Sequence, residues 1–128
     1  MPHSVILVVD DQPEGADLLG MVLESFFPDA TVCVAYGGHE ALQTAAQQRP
    51  DVAVLDIEMP AMDGVQLASA LREAFPDGSP LLVALSGNLQ RISALRHGSP
   101  FDHHFSKPAD MDAIVQVVSP RLSGSGAG

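Results

Sequence analysis

The sequence predicts an α/β protein built on a doubly wound, five-stranded parallel sheet. Short apolar runs alternate five times with segments whose apolar residues recur at helical spacing. Strands that are separated by helices in this way are joined by right-handed crossovers and lie parallel. The first, third and fourth runs are apolar throughout, which is typical of strands that helices cover on both faces of a sheet.

The first strand–helix unit is bounded by a proline at each end of its helix. The strand is predicted over residues 5–9. Pro13 begins the helix, because proline is tolerated in the first helical turn, and Pro28 ends it. The buried face of this helix is expected to comprise the large apolar residues at helical spacing, namely Leu18, Leu19, Val22 and Phe26.

The remaining elements follow from the same patterns. Further strands are predicted over 31–35, 52–56, 81–85 and 101–106. Further helices are predicted over 39–49, from Val65 to Phe75, from Leu89 to Leu95, and over 111–122. Cys33, in the second strand, is expected to be a small buried apolar residue. Residues 1–122 are expected to form one domain, followed over 123–128 by a flexible tail or a linker or cloning remnant.

Composition and charge argue against several classes of protein. One Cys allows no internal disulfide, and no apolar stretch approaches the ~20 residues of a membrane span. The first residues lack the basic region of a signal peptide, so we expect a cytoplasmic protein that does not bind membranes. A formal net charge of −10 with only six Lys and Arg argues against direct binding of nucleic acid, which depends on basic patches.

Polar side chains follow four of the five predicted strands at the point where each strand ends. Asp10 and Asp11 follow the first strand, Asp56 and Ser86 end the third and fourth, and Lys107 follows the fifth. The carboxyl ends of parallel strands meet at one edge of the sheet, where open α/β sheets bind their ligands. We therefore expect these side chains to converge on a single site.

The residue types at this edge favour phosphoryl transfer assisted by Mg²⁺. Clustered carboxylates repel one another, and a divalent cation held by oxygen ligands relieves that repulsion. Lys107 supplies a positive charge for a phosphoryl oxygen, and Ser86 supplies a hydroxyl donor. Because phosphoryl transfer needs mainly positioning and charge neutralisation, Asp56 is the candidate nucleophile that forms an aspartyl phosphate.

Four motifs, in this order, resemble those of the response-regulator receiver domain, the phosphoacceptor module of two-component signalling. They are Asp10-Asp11, the stretch from Leu55 to Gly64, the stretch from Ala84 to Gly87, and Lys107-Pro108, and the match extends over about residues 4–122. The resemblance implies a flavodoxin-like (βα)5 fold with strand order 2-1-3-4-5. It also implies a signalling module rather than an enzyme, one that assists only its own phosphorylation and dephosphorylation.

The resemblance assigns roles to the acidic residues. Asp56 is the phosphoacceptor and a ligand of Mg²⁺. Asp11 binds the cation directly and Asp10 binds it through water, and the backbone carbonyl of Glu58 is a further ligand.

The resemblance also assigns the switch. Ser86 binds a phosphoryl oxygen and moves towards it, and Lys107 pairs with the same group. The Lys107–Pro108 peptide bond is expected to be cis. Receivers carry an aromatic switch residue three positions before this lysine, where the present sequence has His104.

The implied phosphodonor is a histidine kinase or a histidine phosphotransfer protein. The signal is expected to reach a downstream protein through the face formed by the fourth helix, the fifth strand and the fifth helix. Three alternatives stay open: a receiver excised from a hybrid histidine kinase, an unphosphorylated adaptor, and an aspartate-nucleophile phosphatase of the haloacid dehalogenase type. The last carries an Asp-x-Asp pattern that this sequence lacks, since Asp10 and Asp11 are adjacent and Glu58 follows Asp56 by two positions.

Overall fold

A computed structural model describes residues 4–94 and 99–123. The strands of the described residues are β1 Val5–Val9, β2 Thr31–Ala35, β3 Val52–Asp56, β4 Leu81–Ser86 and β5 His103–Ser106. The helices are α1 Pro13–Phe26, α2 Gly38–Gln47, α3 Gly64–Ala74, α4 Leu89–Ala94 and α5 Met111–Ser123. The predicted helical position Leu95 and residues 124–128 of the predicted tail lie outside the described residues.

The strands form one parallel sheet in the order β2-β1-β3-β4-β5, which confirms the predicted fold class and strand order. From β1 the chain goes outward to β2 and then returns to the other side of β1 to form β3. A crevice opens where the strand order reverses in this way, at the carboxyl ends of β1 and β3. Asp10 and Asp56 stand at that crevice, because each lies at the carboxyl end of one of these two strands.

Two apolar layers cover the two faces of the sheet and bury its central strands. Alternate residues of a strand point to opposite faces, so each central strand contributes to both layers. One layer joins the sheet to α2 and α3 and includes Leu7, Leu55, Leu67, Leu71 and Leu82. The other joins it to α1 and α5 and includes Ile6, Val54, Leu23, Ile114 and Val118. Among the described residues, no helix is both long and apolar enough to cross a membrane.

The buried face predicted for α1 is only partly right: Leu19 is half-buried and packs against the core, but Leu18 and Phe26 are exposed. The helix buries Ala16, Gly20 and Leu23, whereas Leu18 is 61% exposed and Phe26 is 45% exposed. The reason is the close approach of α1 to β2, where a Cβ on Gly20 would lie only 2.9 Å from Val34 Cγ2. Small residues allow this approach, so Ala16 and Gly20 lie on the face that packs against the sheet, together with Leu23, while Leu18 points outward.

The two edge strands also differ in detail from the prediction. Cys33 in β2 is half-buried rather than buried, since an edge strand has less cover, and its Sγ lies 3.2 Å from Gln48 Oε1. β5 begins two residues later than predicted. The Leu82 N–H donates to the Asp102 side chain at 2.8 Å instead of to a backbone carbonyl, so the regular ladder starts only at His103.

Candidate functional site

Three carboxylates lie together at the carboxyl ends of β1 and β3. Asp10, Asp11 and Asp56 each offer an oxygen, and these oxygens all lie within 4.8 Å of one another. Backbone donors orient two of the side chains: the Gln12 N–H donates to Asp10 Oδ1 at 3.0 Å, and the Glu58 N–H donates to Asp56 Oδ1 at 3.3 Å. The strand ends therefore bring together the acidic residues that the sequence placed there.

The environment of Asp56 disfavours the ionised form of its carboxyl. Asp56 is only 5% exposed. Burial raises the pKa of the Asp56 carboxyl from 3.8 to about 6, and the negative charge of Asp10 adds to the rise, while Lys107 and the Glu58 N–H lower it. At neutral pH Asp56 is thus mainly ionised, but its ionisation costs more free energy than that of a carboxyl in water.

Lys107 reaches into the acidic cluster from the end of β5. Its Nζ lies 3.3 Å from Asp56 Oδ1 and 3.4 Å from Asp10 Oδ2. Burial lowers the pKa of Lys107, but the charges of Asp56 and Asp10 outweigh that effect and raise it above its ordinary value. The Lys107 N–H donates to the Ser86 carbonyl at 2.9 Å, and the Lys107–Pro108 peptide bond is cis. The ammonium group is therefore charged and paired with the two aspartates, and the Lys107 backbone is tied to β4.

Ser86 is fully buried at the end of β4, and its hydroxyl contacts Glu58. Ser86 Oγ lies 2.8 Å from Glu58 Oε1 and 2.7 Å from Glu58 Oε2. The Gly87 N–H donates to Glu58 Oε1 at 3.2 Å, and the Asn88 N–H donates to Ser86 Oγ at 2.9 Å. The sequence predicted the Glu58 backbone carbonyl as a ligand of the cation but did not predict this contact of its side chain with Ser86. Glu58 lies in the loop between β3 and α3, where the sequence pattern carries no signal for the direction of a side chain.

The loop between β3 and α3 is held close to Asp56. A Cβ on Gly64 would clash with the Asp56 carbonyl oxygen and lie 2.8 Å from Ile57 Cα, so only glycine fits there. Asp63 caps α3, accepting from the Gln66 N–H at 2.9 Å, and the Gln66 side chain accepts from the Asp63 N–H at 3.0 Å. This loop therefore fixes the backbone next to the candidate acceptor.

His104 lies in β5 and contacts residues that precede that strand. Its Nε2 lies 3.0 Å from Ser99 Oγ, and its ring meets the Phe101 ring edge-on at 5.8 Å between centroids. His103, its neighbour in the strand, points to the opposite face. The predicted switch position is thus half-buried and packed rather than turned fully outward.

The donors of the acidic cluster fit a magnesium ion. Asp10, Asp11 and Asp56 offer carboxylate oxygens, with no His or Cys in the group. Hard oxygen ligands favour Mg²⁺, which commonly uses one or two carboxylates and keeps several waters. These three residues could hold such an ion, and its charge would offset their mutual repulsion.

Comparison with known proteins agrees with the geometry. A family model described as the response regulator receiver domain matches residues 6–119. An uncharacterised 14.6 kDa protein of Leptolyngbya boryana is 38% identical over 117 residues, which cover 88% of this chain and 86% of that protein. The probable transcriptional regulatory protein TcrX of Mycobacterium tuberculosis is 36% identical over 123 residues. That match covers 94% of this chain but only 50% of TcrX, so the chain spans about half the length of this relative.

Among solved structures, the response regulator protein TrrA of Thermotoga maritima, crystallised in complex with Mg²⁺-BeF, is 28% identical. It superimposes with a TM-score of 0.78, covering 93% of this chain and 99% of TrrA. The match to the family model extends over nearly the whole chain, and it covers 86% of the Leptolyngbya boryana protein and 50% of TcrX. The chain therefore belongs to the receiver domain family of two-component response regulators.

Proposed function

We propose that Asp56 accepts a phosphoryl group from the phosphohistidine of a histidine kinase or a histidine phosphotransfer protein. Accepting a phosphoryl group is general to receiver domains, the family to which the chain belongs. One observation carries the assignment to Asp56: a buried carboxylate lies within 4.8 Å of two others and 3.3 Å from Lys107 Nζ. Asp56 is also the member of this cluster that is most deeply buried.

The proposed step is a transfer between two nucleophiles. An oxygen of Asp56 attacks phosphorus as the bond from phosphorus to the imidazole nitrogen of the donor breaks. The imidazole leaves with the electron pair, and Asp56 becomes an acyl phosphate. Lys107, which lies 3.3 Å from Asp56 Oδ1, is placed to pair with the oxygens of the incoming group.

The acidic residues would hold Mg²⁺ during this step. Asp11 and Asp56 would bind it directly, Asp10 through water, and the Glu58 backbone carbonyl would complete the protein ligands. When bound, the cation neutralises charge on the carboxylates and on the phosphoryl oxygens. The Mg²⁺-BeF complex of the similar protein TrrA supports this assignment.

The signal would leave the site through Ser86. The Asn88 N–H donates to Ser86 Oγ at 2.9 Å, and Asn88 Oδ1 accepts from the N–H groups of Gln90 and Arg91 at 3.0 and 3.2 Å. A shift of Ser86 towards a phosphoryl group on Asp56 would therefore displace the start of α4. We propose that a downstream protein reads the face formed by α4, β5 and α5, with His104 of β5 as the switch residue.

Incubation with acetyl phosphate and Mg²⁺ tests the proposal by intact-mass spectrometry. We expect the parent protein to gain one phosphoryl group and Asp56→Asn to gain none, because an amide cannot act as the nucleophile. Asp77→Asn is the matched control, since Asp77 is an exposed carboxylate in the turn after α3. The proposal fails if Asp56→Asn still gains the phosphoryl group, or if the parent gains none from acetyl phosphate or from a phosphorylated histidine phosphotransfer protein.

A further inference from the structure

We propose that Ser99 is a positioning residue for His104: its hydroxyl holds the imidazole towards the amino end of β5, and the switch requires that this hydrogen bond break. The two atoms, Ser99 Oγ and His104 Nε2, lie 3.0 Å apart. The inference rests on the proposed function, because it concerns the residue through which that site would signal.

The hydroxyl of Ser99 has a defined place in the loop before β5. Its Oγ accepts a hydrogen bond from the Phe101 N–H at 3.0 Å, which leaves the hydroxyl hydrogen and a second lone pair for His104. The imidazole ring also meets the Phe101 ring edge-on, with 5.8 Å between the ring centroids. A polar contact and an aromatic contact therefore favour the same orientation of the His104 ring.

The loop that carries Ser99 is anchored to α3 and to β4. Arg72 of α3 donates from Nε to the Pro100 carbonyl at 2.8 Å, and its Nη2 lies 3.3 Å from Asp102 Oδ2. The Asp102 N–H donates to the Leu82 carbonyl at 2.8 Å, and the Leu82 N–H donates back to Asp102 Oδ2 at 2.8 Å. Because these contacts hold the loop from two sides, Ser99 would stay in place if the imidazole turned.

The register of the sheet places Ser99 and Ser86 towards opposite ends of β5. His104 pairs with Ala84, and Ser86 lies two residues further along β4, at its carboxyl end. Ala84 and Ser86 point to the same face of the sheet, because alternate residues of a strand do so. Ser99 precedes β5 and lies towards its amino end. In the proposed switch the ring would turn towards Ser86, and it would have to leave Ser99 to do so.

The nitrogen chemical shifts of the His104 imidazole test the contact in the unphosphorylated protein. In long-range ¹H–¹⁵N spectra recorded at one pH, Ser99→Ala should move the Nε2 signal, because a hydrogen bond to that nitrogen is lost. Ser99→Thr keeps the hydroxyl and should leave the signal near its parent position. Ser25→Ala is the control, since it removes an exposed hydroxyl from α1, and it should leave the signal unchanged. An Nε2 signal that Ser99→Ala does not move overturns the proposal.

The binding of beryllofluoride, a mimic of the phosphoryl group, tests the effect on the switch at saturating Mg²⁺. The apparent affinity of a ligand scales with the population of the conformation that binds it. Ser99→Ala should therefore lower the apparent dissociation constant about fivefold, which is the change that one hydrogen bond of ordinary net strength produces. Ser99→Thr and Ser25→Ala should match the parent. If the dissociation constant of Ser99→Ala is unchanged or raised, the hydrogen bond does not oppose the switch and the proposal is overturned.

The two measurements also separate the role of Ser99 from the proposed function. A parent protein that binds no beryllofluoride and gains no phosphoryl group refutes the proposed function, and the role of Ser99 in switching with it, whatever the Nε2 signal shows. If the parent binds beryllofluoride and Ser99→Ala changes neither the Nε2 signal nor the dissociation constant, only the role of Ser99 is refuted and the proposed function stands.

Discussion

At the scale of single residues, the charge on Asp56 is unfavourable to the folded state of the metal-free protein. Burial and the neighbouring Asp10 charge raise its pKa from 3.8 to about 6. The folded protein therefore holds the Asp56 proton more tightly than the unfolded chain does. The contribution of Asp56 to stability is therefore greater at low pH than at neutral pH. As the pH rises from about 4 to about 6, the free energy of unfolding falls.

Asp56→Asn removes this unfavourable charge while keeping the shape of the side chain. We expect the variant to be more stable than the parent at pH 7 without divalent cations, by roughly 1 to 3 kcal/mol. The gain should shrink below about pH 4, where Asp56 is protonated in both the folded and the unfolded states. Urea unfolding at the two pH values measures this, with Asp77→Asn as the control. A destabilised variant at pH 7, or a gain that does not change with pH, contradicts the expectation.

Sequence reasoning placed the strand-end residues of the site but could not find its Glu58–Ser86 contact. Asp10, Asp56 and Lys107 were located because the end of a buried strand fixes both their position and the edge that they face. Glu58 lies in the loop after β3, where no periodicity defines the direction of a side chain. Its approach to Ser86 depends on the path of that loop through Gly64, which tertiary packing determines.

At the scale of elements, α1 shows where hydrophobic patterning fails. Large apolar residues such as Leu18 suggested one face, but the helix packs through Ala16, Gly20 and Leu23. When buried positions are predicted from hydrophobicity, Ala and Gly rank below the large apolar residues. Short side chains are nevertheless what allow a helix to approach a sheet closely. Helix α3 was placed more successfully, since it was predicted from Val65 to Phe75 and extends over Gly64–Ala74.

A matched pair of substitutions in α1 tests this packing. We expect Leu23→Ala to destabilise the protein by about 2 to 5 kcal/mol, because it leaves a cavity against the sheet. Leu18→Ala should change stability by less than about 0.5 kcal/mol, because its side chain lies mainly in solvent. Thermal or urea unfolding of both variants measures the difference. Similar losses in the two variants would show that Leu18 also packs against the fold.

At the scale of the whole molecule, the acidic cluster adds local repulsion to a general excess of negative charge. The chain carries a formal net charge of −10, and three of its carboxylates share one site. Self-repulsion of this kind destabilises a compact state. A divalent cation bound at the cluster would relieve the repulsion where it is strongest, so the folded protein should bind Mg²⁺ better than the unfolded chain does.

Mg²⁺ should accordingly raise the melting temperature. At ten times its dissociation constant, an ion that binds only the folded state adds about 1.4 kcal/mol, which corresponds to several degrees in a domain of this size. Differential scanning calorimetry measures the shift, and KCl at matched ionic strength is the control for screening. Asp11→Asn should lose most of the shift, since it removes a proposed direct ligand. An equal rise with KCl would mean that general screening, rather than a site, is responsible.

In the proposed function, the buried hydroxyl of Ser86 would make the response of each molecule discrete. The Ser86 hydroxyl carries one hydrogen, which lies among Glu58 Oε1, Glu58 Oε2 and the Asn88 carbonyl in this structure and would have to turn away from them to reach a phosphoryl oxygen. A graded output from many such molecules would then reflect the fraction of molecules in each conformation, rather than an intermediate conformation of every molecule. The strength of the proposed signal would then depend on the number of molecules that have switched, because each would contribute the same change in structure.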